Sequence, residues 1–252
     1  IDKLDIEEIK PSSRRYPALI FEQEREAGDQ ILNIEQLSVS QDGTSLFKKV
    51  NLNLAKGDKV IVHSKDTRVL EAFYNILMGE AQADSGSVSW GITTSQAYLP
   101  VDHDDYFESP VSLVEWLRQY AKTEEEREEV FLRGFLGKML FSGEEALKMS
   151  NVLSGGEKVR CMLSKMMMER ANVLVLNEPT NHLDLESITA FNNSLNNFKG
   201  TLLCSTSDHA FAQTLGNRIV ELTPNGMIDR HMSFDEYMTD PKIKELREKL
   251  YQ

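Results

Sequence analysis

The chain has 252 residues, and its 40% hydrophobic content is enough for a sizeable core in one large α/β domain or two small ones. The formal net charge is −12 at pH 7, which opposes broad electrostatic attraction to nucleic acid. No apolar run approaches the ~20 residues that span a bilayer, and no charged-then-apolar leader opens the sequence, so we expect a cytoplasmic protein that does not contact a membrane.

The N-terminal third begins with a charged stretch and continues with strands. Over residues 1–29, Pro11 and Pro17 bar a continuous helix, and the charge pattern by itself favours a solvated tail. Apolar and polar residues then alternate, which predicts antiparallel strands over 31–39 and 46–54.

A strand, a loop and a helix follow, in the order in which a phosphate-binding loop would lie. Residues 59–63 predict a central strand, and 69–78 predict an amphipathic helix that ends at the next residue, a glycine. A phosphate loop needs glycines so that its N–H groups can contact the phosphates, a lysine to bind the β- and γ-phosphates and a hydroxyl to bind magnesium. The loop contains no glycine. Lys65 and Arg68 could compensate, although the pattern favours solvated loop charges.

The middle of the chain predicts short strands over 85–90 and 94–99, then helices. An acidic segment at 102–105 contains a histidine, but its spacing is too loose for a metal site, and we interpret it as a solvated loop. Residues 111–137 have helical spacing around a charged turn that Thr123 could cap.

The segment 153–184 contains two turns suited to phosphate. LSGGE, at 153–157, places two glycines directly before a helix, where the backbone can approach a ligand and the helix N-terminus favours an anion. Residues 173–176 predict a buried parallel strand that delivers Asn177 and Glu178 to its carboxyl end. Together these turns indicate phosphate chemistry.

The C-terminal part predicts a helix over 185–198, a strand over 200–205 and a closing hairpin of strands over 218–222 and 227–230. A charged helix over 242–251 ends the chain. Two cysteines, Cys161 and Cys204, fall in a predicted helix and strand, where we expect buried free thiols.

LSGGE, VLVLNEP and TNHLD resemble the signature, Walker B strand and D-loop of the ATP-binding cassette (ABC) family. TNHLD together with LSGGEKVR is similar to the ABC-F branch, twin-cassette proteins without a membrane domain that act on the ribosome and transfer RNA. The resemblance implies an α/β fold of the ABC-type P-loop NTPases, with a mixed core sheet, an antiparallel β subdomain and a helical subdomain at about 103–170. It also implies the end of an inter-cassette linker over 1–29, a nucleotide-binding domain over 30–240 and a C-terminal helix over 241–252.

The resemblance also sets a register across the loop, because GDKV before it and ILMGEAQADSGSVSW after it match the flanks of a Walker A motif. In this register a carboxylate stands where the family binds magnesium. The family's aromatic platform falls on Gln41, and its Walker A glycines, lysine and serine fall on Ser64, Thr67, Val69, Leu70 and Glu71. Its Q-loop glutamine, Walker B aspartate and switch histidine fall on Val101, Asn177 and Ser207. We therefore predict that this domain's own Walker face is degenerate.

The positions that a cassette presents to a partner are intact. The signature residues are Ser154, Gly155, Gly156 and Glu157, and the D-loop residues are Asn181, His182, Leu183 and Asp184. Because cassettes of this family pair head to tail, the resemblance implies that this domain completes the ATP site of a second cassette, either an N-terminal half of the same protein or a dimer mate. ATP and Mg²⁺ would be bound mainly by that partner.

Glu178 matches the family's general base, which has little to act on without a phosphate cradle. We therefore predict no measurable ATPase from this chain alone. Two alternatives stay open: an intact ATPase whose unorthodox loop uses Lys65 and Arg68, and a non-catalytic interaction scaffold in which even the signature is structural. A transporter cassette is disfavoured by the TNHLD form and by the linker-like N-terminus.

Overall fold

The computed structural model describes residues 15–252. The predicted linker over 1–29 is covered only in part, since residues 1–14 lie outside the described residues. Residues 15–29 contain no helix or strand, but Leu19 and Phe21 are buried, and the Phe21 ring lies 6.0 Å from the ring of Phe191. This part of the segment is packed on the domain, so the solvated tail that its charge favours is wrong there.

A three-stranded antiparallel sheet has the order β2-β1-β4, with β1 at Gln30–Gln41, β2 at Thr44–Ala55 and β4 at Ser85–Trp90. The predicted hairpin is confirmed, and both strands extend beyond the predicted ranges. Asp42 and Gly43 form its two-residue turn with φ of 51° and 78°, the left-handed values that match the twist of the flanking strands.

A six-stranded sheet has the order β5-β6-β7-β3-β8-β9. All its strands are parallel except the last, which pairs antiparallel with its neighbour in the predicted closing hairpin. In spatial order they are β5 (Gln96–Leu99), β6 (Val173–Asn177), β7 (Thr201–Ser205), β3 (Lys59–His63), β8 (Arg218–Thr223) and β9 (Gly226–Arg230). Strands β6 and β7 are buried at every position, which is why they read as continuous rather than alternating apolar runs.

The two faces of the larger sheet pack into different cores. Val173 and Val175 of β6 face a cluster shared with the antiparallel sheet and with helix α1, Thr67–Leu77. Leu174 and Leu176 face the opposite cluster, which contains most of the remaining helices. The mixed α/β fold predicted from the sequence, with a separate antiparallel sheet and a helical segment, is confirmed.

The helical segment is more broken than its spacing suggests. Helices α2 (Leu113–Arg118), α3 (Glu124–Arg127) and α4 (Glu129–Lys138) replace the predicted helical run over 111–137. Thr123 does cap α3, because its side chain accepts a hydrogen bond from the Glu126 N–H. The run breaks again at Glu128, whose extended ψ of 135° ends α3 and starts α4.

The C-terminal part contains two short helices that the sequence pattern does not reveal. Helix α5, Gly155–Glu169, follows LSGGE as predicted, and α6, Leu185–Asn197, is close to the predicted range 185–198, whereas α7 (His209–Leu215) and α8 (Phe234–Thr239) were not predicted. Helix α9, Pro241–Tyr251, confirms the predicted final helix. Both cysteines are buried free thiols, as expected. Within residues 15–252, no helix has the length and apolar character needed to cross a bilayer.

Candidate functional site

Three loops meet at the carboxyl edge of the six-stranded sheet, because β3, β6 and β7 are parallel neighbours. Residues 64–66 follow β3, Glu178 follows β6, and 206–208 follow β7. The pairing of Asn177 with Ser205 fixes the height at which the second and third loops leave the sheet. This edge is where open α/β sheets place their ligands.

The loop after β3 is only three residues long, because α1 begins at Thr67 rather than at the predicted 69. Asp66 is its N-cap, and the carboxylate accepts a hydrogen bond of 3.0 Å from the Arg68 N–H. The Arg68 guanidinium returns to the same carboxylate, with Nη2 2.7 Å from Oδ2. This hydrogen-bonded guanidinium lowers the pKa of Asp66, so the helix N-terminus faces a carboxylate of its own chain.

The residues of α1 that follow Arg68 are either buried away from the loop or negatively charged. Val69 and Leu70 are buried in the core beneath the antiparallel sheet, whereas Glu71 is exposed. Glu71 lines a cleft of about 700 Å³ that also contains Val101 and Asn177. Four carboxylates but no lysine or arginine line this cleft: Glu71, Glu80, Asp102 and Asp105.

Asn177 and Glu178 have different surroundings. Asn177 is buried as the last residue of β6, and it lines the cleft together with Tyr98, whose pKa burial raises. Glu178 has a left-handed φ of 50°, and its Oε2 accepts hydrogen bonds of 3.0 Å from both the N–H and the hydroxyl of Ser207. The structure therefore joins the predicted general base to the residue that we predicted for the switch-histidine position.

The other sequence-predicted positions of this face lie apart or are already paired. Gln41 is exposed at the end of β1. His209 contacts Asp235 and stacks edge-on against Phe234, at a ring distance of 5.0 Å. Lys65, one of the two cations of the unorthodox-loop alternative, lies 4.2 Å above the ring of Tyr251.

The signature residues form the N-terminus of α5. Ser154 and Glu157 make a reciprocal capping box, in which the serine oxygen accepts from the Glu157 N–H and the glutamate accepts from the Ser154 N–H at 2.8 Å. Burial would raise the pKa of Glu157, but its hydrogen bond with Lys148 and those with Ser154 lower it overall. Ser154 and Gly155 are exposed, so the helix N-terminus opens to solvent.

The D-loop packs directly on the signature. A Cβ on Gly156 would lie 2.7 Å from the His182 carbonyl oxygen, and one on Gly155 would lie 3.0 Å from the His182 ring. Asp184 then caps α6 through a 2.7 Å hydrogen bond from the Ser187 N–H. The signature and the D-loop therefore form one continuous surface, which we call the signature surface: residues 154–157 and 181–184.

Residues that sequence reasoning missed come from the C-terminal helix. The hydroxyl of Tyr251 accepts a hydrogen bond of 3.1 Å from the Lys65 N–H and donates one of 2.8 Å to Glu221. Glu221 is fully buried in β8. A charged residue inside the apolar run 218–222 was the available signal, because an acid there needs buried donors.

The family model described as "ABC transporter" matches residues 72–181. This range includes the signature, β6 and the start of the D-loop, and it begins after the loop that follows β3.

Three curated relatives resemble nearly all or most of the chain. The ABC transporter ATP-binding protein YkpA of Bacillus subtilis is 50% identical over 252 residues, which are 100% of this chain and 46% of that protein. ABC transporter F family member 5 of Arabidopsis thaliana is 27% identical over 98% of this chain and 36% of its own length. The energy-dependent translational throttle protein EttA of Haemophilus influenzae is 27% identical over 80% of this chain and 36% of its own length. The chain thus spans about half the length, or less, of the relatives that it matches.

Solved structures share the fold at low sequence identity. The ATP-binding cassette MJ1267 of an ABC transporter has a TM-score of 0.64 and 16% identity, over 87% of this chain and 99% of that one. The cassette MJ0796, in a dimeric post-hydrolysis state bound to ADP and Pi, has a TM-score of 0.65 and 16% identity, over 80% and 99%. The fold is therefore that of the ABC ATPases.

Proposed function

Because the chain carries an ATP-binding cassette domain of the ABC transporter type, we propose that it supplies its signature surface to an ATP held by a second cassette, while its own Walker face holds no nucleotide. The observation that carries this proposal is the contrast between two helix N-termini. The cap of α5 is a neutral serine at an exposed helix end, and the Glu157 carboxylate of its capping box is paired with Lys148, whereas the start of α1 is closed by the Asp66 carboxylate.

The Walker face does not fit Mg-ATP. Asp66 already accepts from a first-turn N–H of α1, and Glu71 is one of four carboxylates that line the neighbouring cleft, where no lysine or arginine is present. Charges of like sign about 4 Å apart repel by roughly 4 kcal/mol at an effective dielectric near 20, so a triphosphate would be disfavoured. Since Arg68 pairs with Asp66 and Lys65 lies on Tyr251, neither cation is arranged to offset this repulsion. No step of ATP hydrolysis is assigned to this face.

The signature surface does fit an anion held from outside. The capping box uses the Glu157 N–H and leaves the first N–H groups of α5, at Gly155 and Gly156, to face solvent beside the Ser154 hydroxyl. Such groups favour a phosphate through their hydrogen bonds and through the helix dipole. ATP and Mg²⁺ would then be bound mainly by the partner cassette, with this chain providing the opposing wall.

Kinship with the ABC-F branch supports a role in translation. The proposal rests on TNHLD and LSGGEKVR, on the F family relative and on EttA, whose name describes a translational throttle. Within it, residues 1–29 are the end of an inter-cassette linker and 30–240 the second cassette of a cytoplasmic, ribosome-associated protein. The partner is then an N-terminal cassette of the same polypeptide, consistent with a chain that spans 46% of YkpA.

The test pairs this chain with its N-terminal cassette and measures ATP turnover. Ser154→Arg should lower turnover by about 100-fold, because it fills the anion-facing helix N-terminus and removes a transition-state contact. Ser233→Arg is the matched control, since Ser233 also makes a capping box, with Glu236 of α8. Unchanged turnover in the Ser154 variant would refute the proposal and favour the scaffold.

The scaffold alternative has one specific observation in its favour. The signature glycines are needed for packing against His182, so their presence does not by itself require ATP. ATP turnover of the isolated chain tests the remaining alternative, an intact ATPase with an unorthodox loop. We predict no measurable turnover, and a robust activity that Glu178→Gln abolishes would establish that alternative.

A further inference from the structure

The last turn of α9 lies against the loop after β3. Tyr251 contributes both of its parts: its hydroxyl oxygen accepts a 3.1 Å hydrogen bond from the Lys65 N–H, and its ring lies 4.2 Å from the Lys65 Nζ. The C-terminal helix thus binds both the backbone N–H and the side-chain ammonium of Lys65 in the three-residue loop.

A buried carboxylate holds α9 in this position. Glu221 has no exposed surface, and it accepts hydrogen bonds from Tyr251 at 2.8 Å, from Arg247 Nε at 2.8 Å and from the hydroxyl of Tyr237 in α8. Arg247 and Tyr251 are one helical turn apart, so a single face of α9 meets the acid. A buried carboxylate needs such donors, and removing one leaves charge uncompensated.

The same acid is also joined to the base of the loop. Strands β3 and β8 pair in parallel with His63 opposite Glu221, and His63 is the last strand residue before Ser64. Burial and the neighbouring Glu221 raise the pKa of Tyr251, which keeps the phenol protonated and able to donate to the acid. The loop is therefore fixed at both ends, by the strand behind it and by the helix across it.

We propose that α9 is the built-in occupant of this loop: Tyr251 takes the place of an external ligand and holds residues 64–66 in a closed form. The inference rests on that part of the proposed function in which the Walker face holds no nucleotide, and it adds a contact within the fold that keeps the loop closed. It states that the Walker face rejects nucleotide by conformation as well as by composition. Releasing α9 would open the loop without altering residues 154–157.

Amide hydrogen exchange on the whole chain tests the contact directly. Tyr251→Phe keeps the ring over Lys65 and removes only the hydroxyl, and we expect exchange at the Lys65 amide to increase at least about 10-fold, because its acceptor is lost. Tyr237→Phe is the control, since it also removes a donor from Glu221 but does not contact the loop. Rates should be compared after correction for any change in global stability.

Two results overturn the inference at this stage. Unchanged exchange in Tyr251→Phe means that the hydroxyl does not hold the loop. An equal increase in both variants means that the network merely stabilises the fold.

A repaired loop tests the consequence for nucleotide. Five substitutions restore the family pattern: Ser64→Gly, Thr67→Gly, Val69→Gly, Leu70→Lys and Glu71→Ser. Fluorescent ATP with Mg²⁺ should bind this variant at least about 10-fold more tightly when Tyr251→Phe is added, because the Lys65 N–H is then free of the Tyr251 hydroxyl and the loop is no longer held in its closed form.

Equal affinity with and without Tyr251→Phe overturns the inference. It leaves the trans role of the signature surface untouched, because that role is measured by turnover of the paired cassettes.

Discussion

The loop after β3 and the signature at the start of α5 share the same kind of helix cap but have opposite proposed roles. Each begins a helix with a short polar side chain that accepts from a first-turn N–H, Asp66 in one case and Ser154 in the other. The aspartate adds a negative charge and α9 covers the loop, whereas the serine is neutral and its helix end is exposed. The difference teaches that the same kind of cap can leave a helix end either covered or exposed, and in our proposal the charge of the cap and the access of solvent decide which end meets an anion.

The support beneath the loop should give the largest effect. Glu221→Gln keeps the shape of a fully buried side chain but leaves Arg247 without its ionic partner, so we expect unfolding free energy to fall by about 3–5 kcal/mol. Urea denaturation measures this loss. Glu245→Gln, which breaks only the exposed pair with Lys249, should change stability little. Similar losses of unfolding free energy in Glu221→Gln and Glu245→Gln would show that the buried Glu221 network does not support the loop after β3.

On the signature side, Gly156→Ala should cost about 1–3 kcal/mol, because its Cβ would lie 2.7 Å from the His182 carbonyl and the D-loop would have to move. Thermal or urea unfolding checks the value. Gly134→Ala is the control: no atom lies within 4 Å of its Cβ, so helix α4 should gain stability instead. A neutral Gly156→Ala would mean that the D-loop does not rest firmly on the signature.

The two caps themselves should prove equivalent. Asp66→Ala and Ser154→Ala each remove one side-chain acceptor from a first turn, and each should cost about 1 kcal/mol of stability. Equal losses in urea denaturation would place the functional difference in charge and access rather than in helix formation. A much larger loss for one cap would show that the two helix starts are not comparable.

The smallest effect is a dependence on pH that both regions share. Burial lowers the pKa of His63 beside the loop, although the nearby Glu221 acts in the opposite direction. Burial also lowers the pKa of His103, which lies next to Asp104, the partner of Lys158 in α5. A lowered pKa in the folded state means that protonation favours unfolding. Stability should therefore be complete above about pH 6.5 and decline as pH falls below it.

Unfolding measured between pH 7.5 and 5 checks this dependence, with His63→Gln and His103→Gln each removing part of the decline. Glu221, Arg247 and Lys65 all act on His63, so the slope near the loop also reports whether that network is intact. A decline unchanged in both variants would assign the pH dependence to other groups.

The strands were predictable because their apolar patterns differ with burial. The alternation in β1 and β2 and the continuous apolar run of β6 gave the right elements within about two residues. Helices α7 and α8, of seven and six residues, were missed, because a stretch so short carries little periodicity. The start of α1 was also misplaced, because the apolar pattern begins at Val69 whereas the Asp66 cap starts the helix two residues earlier.

The candidate site also has a part that the sequence predicts and a part that it does not. Residues of the signature surface could be named because their motif is local and contiguous in sequence. The contact of His182 with Gly155 and Gly156, and the hydrogen bonds from Ser207 to Glu178, join residues that are 26 or more positions apart. No local pattern predicts which of several polar groups will meet across such a distance.

By itself the sequence determined the family resemblance and the α/β class, and it led to the predictions that the phosphate-loop residues are lost and that LSGGE still serves as a signature, since each depends on residue type at a local spacing. Only the tertiary structure decided that Asp66 closes the helix that should cradle phosphate, that the D-loop rests on the signature glycines, and that Tyr251 reaches back across 186 positions to Lys65. The physical reason is that hydrogen bonds and burial follow distance in the folded chain, and distance along the chain does not determine it.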